Sequence, residues 1–337
     1  MYDKNLFAHE VHLSPKENYF RVLDGREPEW LPSYFNKGKA AWTEDLLTPT
    51  IARERIVTPL GVPYVGEPNT GYGSMVEPGE PIIPDITHWR DYWKLVDYSD
   101  FDFASYYAKK LEPIDRSKYY ICIGGGDYFL TLVALLGFEE TMIAFYEEPE
   151  YVHELLDEIH RFYLLVNCNQ LEYLQPEMIS TMDDICMKDA PFFGMDVYDE
   201  FFRPLIGELC ARARERGMYI GHHCCGPAAP FLERWFNMGL QTWNPAQPMN
   251  DLVAIKEHFD GFTIEGGWDS TRGSAVQDEE ELRQMVIDYI DKLAPGGHFV
   301  FWANTYGNPS IDSKATMRSR ILKEVYFDYA FDYYRTH

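Results

Sequence analysis

The sequence predicts an α/β fold, a (β/α)8 TIM barrel with an irregular N-terminal extension, and three observations predict it. From about residue 116 onward, short apolar runs alternate with helical patterns, the signature of βαβ units on a parallel sheet. Successive runs end in acids, amides, histidine and cysteine, and a barrel carries its chemistry at the C-terminal ends of its strands. No G-x-G-x-x-G follows a first strand, and "IGGGDYF" (123–129) is a poor match to it, which disfavours an open doubly wound sheet. One domain over 1–337 is expected. Residues 1–115 form its irregular part and 116–337 its regular repeats.

The elements follow in order. The first part is rich in Pro, Gly and aromatics, as in "PLGVPYVGEPNTGYGSMVEPGEPIIPD" (59–85), and reads as loops and short strands laid over a core. "WLPSYF" (30–35) is an early strand. "YYICIGGGD" (119–127) is a strand ending in glycines, followed by the helical "YFLTLVALLGFEETMIAFY" (128–146). Pro149 opens the amphipathic helix "EYVHELLDEIHRFYLLVNCNQLEYL". Then "EMISTMDD" (strand), "VYDEFFRPLIGELCARARERG" (helix), "MYIGHHCC" (strand), "APFLERWFNMG" (helix) and "LQTWNPA" (strand) continue the series. "DLVAIKEHF" (helix), "FTIEGGWD" (strand), "DEEELRQMVIDYIDKLA" (helix), "HFVFWAN" (strand) and a last helix from about Ser313 close it. These runs give roughly seven strands, so one more is expected in the N-terminal third.

Composition bounds the function. The 337 residues are 46% hydrophobic and 16% aromatic, enough for one large core. The net charge of −24 repels nucleic acid and anionic lipid. No stretch approaches a membrane span. The start "MYDKNLFAHEVHLS" lacks the apolar segment of a signal peptide. The 6 cysteines form no dense framework, so a reducing cytoplasm is expected, with metal or thiol chemistry preferred over bridges.

Read in order, the strand ends present Asp183 and Asp184, then His222 to Cys225, Asn244, Glu265 and Asp269, and Asn304. Side chains alternate along a strand, so His223 and Cys225 share one face and His222 and Cys224 the other. Either pair can chelate one ion, and imidazole with thiolate suits zinc. Two other readings stand beside it: a Cys225 nucleophile paired with His223, and two structural residues with two bystanders at a buried strand end.

The order "STMDDI", "DEFFRPLIGEL", "HHCCGPAAPFLERWFNMGLQTWN", "FTIEGGWD", "GGHFVFWANTYGNP" resembles the uroporphyrinogen decarboxylase superfamily. "PKENYFRVLDGREPEWLP" and "GFEETMIAFYEEPEYVHELLDEI" resemble the opening segment and central helices of its methyltransferase branch. That resemblance implies a (β/α)8 barrel. The family's H-x-C-G falls on His223, Cys224, Cys225 and Gly226, and implies zinc on His223 and Cys225. The Arg-rich motif of the true decarboxylases is missing; "PSYFNKGKAAW" takes its place. Coenzyme M methyltransferases of this branch add a cysteine after the last strand. Here Asn304 stands there, and no cysteine follows Cys225. Glu265 is the expected third ligand, with Asp183 or Asp184 second.

A carboxylate in place of a thiolate hardens the site toward an oxygen-bound methyl group. The resemblance therefore implies an O-demethylating component. It would move a methyl group between a small methoxylated aromatic donor and a cobalamin carried by a separate corrinoid protein. Catalytic roles are expected for Asp183, Asp184 and Glu265. An aromatic wall is expected from Tyr128, Phe129, Phe192, Phe193, Trp243, Trp268, Trp302 and Tyr306, with Asn304 beside it. The substrate contacts are expected among Tyr128, Phe193, Trp243, Trp268, Trp302 and Asn304. A lyase acting on a non-porphyrin acid and a non-catalytic binding barrel are the alternatives, and a homo-oligomer is left open.

Overall fold

The computed structural model describes residues 10–40, 46–47, 55–67, 73–307 and 312–337. Six parallel strands form its centre: β4 (Cys122–Gly124), β5 (Met178–Met182), β6 (Tyr219–His223), β7 (Thr242–Ala246), β8 (Thr263–Gly266) and β9 (Phe299–Val300). They are hydrogen-bonded in sequence order, with helices on the connections. The sheet is a closed TIM barrel, and residues 32–40 close it. Ser33 bridges Phe301 beyond β9, and Lys39 bridges Tyr120 ahead of β4, both in parallel. The backbone bonds are Tyr34 N–H to Phe301 O (2.8 Å), Phe301 N–H to Pro32 O (2.8 Å), Ala40 N–H to Tyr120 O and Tyr120 N–H to Gly38 O (both 2.9 Å). The early "WLPSYF" strand is thus a single bridge. The Lys39 bridge supplies the one stave that the apolar runs left uncounted.

The rest of the N-terminal part forms a three-stranded antiparallel sheet outside the ring: β1 (Ile56–Val57), β2 (Pro63–Glu67) and β3 (Gly73–Val76). Ahead of them, α1 (Pro15–Leu23) starts at a capping box, with Ser14 and Glu17 bonding each other's backbone and Pro15 in the first turn. Tyr19 and Leu23 of α1 pack with Tyr120, Cys122, Met178 and Val300, and Phe20 stacks on Tyr219 at 4.2 Å. Cys122, Met178 and Tyr219 begin their strands. α1 therefore plugs the N-terminal end of the barrel, leaving the C-terminal end for chemistry.

Two helices differ from expectation for local reasons. The run 128–146 is two helices, Tyr128–Leu136 and Phe138–Glu147, bent by 108°. Gly137 between them has φ 85°, a conformation glycine adopts without steric penalty. The helix ending at Glu215 enters through a π turn at Tyr198–Phe202. Pro204 has no N–H to continue α-helical bonding there, and Arg203 N–H reaches Tyr198 O instead. Among the described residues no single helix is long and apolar enough to cross a membrane.

Candidate metal centre at the barrel rim

β6 ends at His223. Its in-register neighbours are Met182 on β5 and Asn244 on β7, so this imidazole sits between two strand ends. Asn244 Oδ1 lies 2.9 Å from His223 Nδ1. That contact holds the ring through Nδ1 and leaves Nε2 for another partner. Nε2 stands 3.9 Å from Cys225 Sγ and 3.9 Å from Asp184 Oδ1. The three ligand atoms all lie within 4.8 Å of one another, a spacing that a tetrahedral ion with bonds of about 2.0–2.3 Å fits.

Asp184 is tied to the same loop, because Cys225 N–H donates to its Oδ1 at 2.6 Å. Gly226 follows in the left-handed region (φ 87°), where a Cβ would stand 2.6 Å from Cys186 Cβ. Glycine is what lets the chain turn there. Burial pushes the Cys225 thiol up to about 12, and the nearby Asp184 carboxylate adds to this. Without a metal the thiol stays protonated at neutral pH, and a bound cation would displace the proton.

The family is now decided by comparison. The uroporphyrinogen decarboxylase (URO-D) family model matches residues 81–303, well over half of the chain. The chain belongs to the uroporphyrinogen decarboxylase family. A solved methyltransferase from Methanosarcina mazei superposes with a TM-score of 0.61 at 12% identity, covering 94% of this chain and 99% of that one. At that identity the likeness speaks for the fold. No curated protein matches the sequence.

Glu265 needs correction as third ligand. Its side chain is fully buried and forms an ion pair with Lys37. It also accepts from Tyr19 Oη (2.5 Å) and Thr242 Oγ1 (3.0 Å). Lys37 Nζ lies 4.7 Å from the Tyr34 ring centroid and 5.1 Å from that of Tyr19. Three partners thus hold the carboxylate in the barrel interior, and Asp184 takes the place beside His223 and Cys225. Asp183, expected near substrate, faces the other way. Its buried carboxylate accepts the N–H groups of Tyr128, Phe129 and Leu130 at 3.0–3.2 Å, capping the helix Tyr128–Leu136 that follows the neighbouring strand β4. Burial pushes its pKa well up, and those amides pull it back.

The aromatic wall is corrected too. Trp243 shares a strand face with outward residues and gives its indole N–H to Cys224 O (2.9 Å), near Trp235. Tyr128 Oη pairs with His160 Nδ1 (2.7 Å). Phe193 packs in a buried cluster with Phe129, Phe145 and Phe202. These three belong to the layer between barrel and helices. Trp268 is buried and donates to Asn304 O (2.7 Å), while Asn304 Oδ1 accepts from Ser270 Oγ (2.6 Å). Trp302 stacks on Tyr34 at 4.0 Å, beside the buried Lys37. His222 also faces outward. It is buried, holds Thr181 Oγ1 at 2.7 Å, and burial pushes it down to about 3, so it stays neutral.

The orientation of His223 gives a direct expectation. Asn244→Ala should weaken the hold of this candidate site on an added divalent cation by about 10–100-fold while leaving the circular dichroism spectrum unchanged. Competition titration with a chromophoric chelator measures it. An unchanged affinity would show that the Asn244 contact does not orient the ring for a metal.

Proposed function

We propose that this chain is a zinc-dependent methyltransferase. In this reading it takes a methyl group from the oxygen of a small methoxylated substrate to the cobalt of a separate corrinoid protein. The convergence of His223 Nε2, Cys225 Sγ and an Asp184 oxygen at the barrel mouth carries the reading. One nitrogen, one sulfur and one oxygen leave a fourth position for substrate, the pattern of a catalytic zinc site. Zinc held there supplies Lewis-acid pull on the ether oxygen. Asn244 fixes the imidazole, and the Cys225 N–H fixes Asp184.

The loops after the strands support a partner docking at the mouth. Phe35 follows the Ser33 bridge, and Met187, Met249 and Tyr306 follow β5, β7 and β9; all four are exposed. Apolar side chains so placed suit a protein surface. The methyltransferase from Methanosarcina mazei that shares the fold adds weight.

The test has two parts. Purified protein supplied with zinc should retain about one ion per chain by elemental analysis. It should also methylate photochemically or chemically reduced cob(I)alamin from a methoxybenzene, and His223→Ala should lose both properties. Absence of zinc, or a His223→Ala variant equal to wild type, overturns the reading.

A further inference from the structure

The end of β6 is tied to β7 and the loop after it by three side-chain amides at one constant offset. Asn244, Gln247 and Asn250 stand at every third position of "NPAQPMN" (244–250). Their partners His223, Gly226 and Ala229 stand 21 positions earlier in each case. The first pair belongs to the strand register, in which His223 faces Asn244. The other two carry that register beyond the last ladder pair of β6 and β7. Gln247 Oε1 accepts Gly226 N–H at 2.6 Å, and Asn250 Nδ2 donates to Gly226 O at 3.0 Å. Both backbone polar groups of Gly226 are therefore held. Asn250 is buried; its Oδ1 accepts Ala229 N–H (3.1 Å), and its Nδ2 also donates to Gln247 O (3.0 Å). On the other side of Cys225, Cys224 N–H donates to Asn244 O, and Cys224 O accepts the Trp243 indole N–H, both at 2.9 Å. Cys225 lies between these anchored residues, with its own N–H on Asp184. Pro248 and Asn250 border a cavity of about 480 Å³ toward the helix Glu279–Leu293, so packing does not press this loop onto Gly226 from that side.

We propose that Gln247 and Asn250 are positioning residues of the metal centre, holding Gly226 so that Cys225 Sγ meets the same ion as His223 and Asp184. This rests on the metal-binding part of the reading above. A cysteine places its sulfur through a single side-chain torsion, so the position of Sγ is set by that rotamer and by the backbone beneath it. The next residue is a glycine in the left-handed region, and glycine offers little resistance to backbone rotation. The two amides supply the restraint that Gly226 lacks. Because Cys225 N–H also holds Asp184, the same restraint reaches the oxygen donor. Partners that orient ligands in this way typically carry about 10–100-fold in metal affinity.

Gln247→Leu removes the acceptor at similar size, whereas Gln247→Glu keeps it. Cobalt(II) added to the metal-free protein reports the sulfur directly, through a thiolate-to-metal charge-transfer band. Wild type should show a band that Cys225→Ser abolishes. Gln247→Leu should bind cobalt about 10–100-fold more weakly and show a weaker band at saturation, while Gln247→Glu keeps both. Asn250→Asp retains the acceptor for Ala229 N–H and loses both donations, so it should behave as Gln247→Leu does. A merely structural role would lower the urea midpoint and leave affinity and band unchanged in the folded protein. That result overturns the proposal, as does a Gln247→Glu variant no better than Gln247→Leu. Hydrogen exchange gives a readout without metal: the Gly226 amide should exchange faster in Gln247→Leu than in wild type, and equal rates overturn the restraint. A wild type with no Cys225-dependent cobalt band overturns the metal reading itself, and the positioning role with it.

Discussion

Glu265→Ala is expected to destabilise the fold by about 3–5 kcal/mol, read from urea denaturation midpoints. The variant leaves the Lys37 ammonium 4% exposed without its counter-charge, and it strips an acceptor from Tyr19 and Thr242. A lone buried cation is far more unfavourable than a buried pair is favourable. For that reason Lys37→Met combined with Glu265→Met should recover much of the loss. If Glu265→Ala costs under about 1 kcal/mol, the pair is hydrated like a surface bridge, and the interior is wetter than its geometry indicates.

Asp183→Ala should cost on the order of 3 kcal/mol or more, since each unsatisfied buried donor costs about 1–3 kcal/mol. Three amides at the start of the helix Tyr128–Leu136 lose their acceptor together. Asp183→Asn keeps one oxygen and should cost less. Hydrogen exchange locates the damage: the amides of Tyr128, Phe129 and Leu130 should exchange faster while those of β7 and β8 keep their protection. Uniform acceleration would mean that Asp183 acts on the whole core rather than as a cap.

These two acids show how far the sequence could be read. The alternation of strands and helices was legible because each strand is a short apolar run between amphipathic helices. The two-residue period put His223 with Cys225 on one face and His222 with Cys224 on the other, and the resemblance to H-x-C-G chose between the pairs. That period also shows which residues share a face of the sheet. It carries no information on what meets a side chain there. Lys37 lies 228 positions away, on a segment whose path over the barrel has no local signal. Asp183 and Asp184 are adjacent at a strand end, where pairing stops, so only tertiary contacts show which one turns to the mouth. Trp243 was legible and overlooked: it alternates with Asn244 and so must point outward when Asn244 points in.

The closure of the ring by residues 32–40 has a consequence for how the molecule is made. Leu31 N–H bonds Phe331 O, and Tyr326 Oη bonds Leu31 O. A segment of the chain is therefore seated by another that lies 295 positions later. Contacts so distant in sequence form slowly, and until they form the growing polypeptide holds an open curl with two bare edges. Birth of the complete barrel, with the Lys37 and Glu265 charges sealed inside it, waits until Tyr326 and Phe331 have been made.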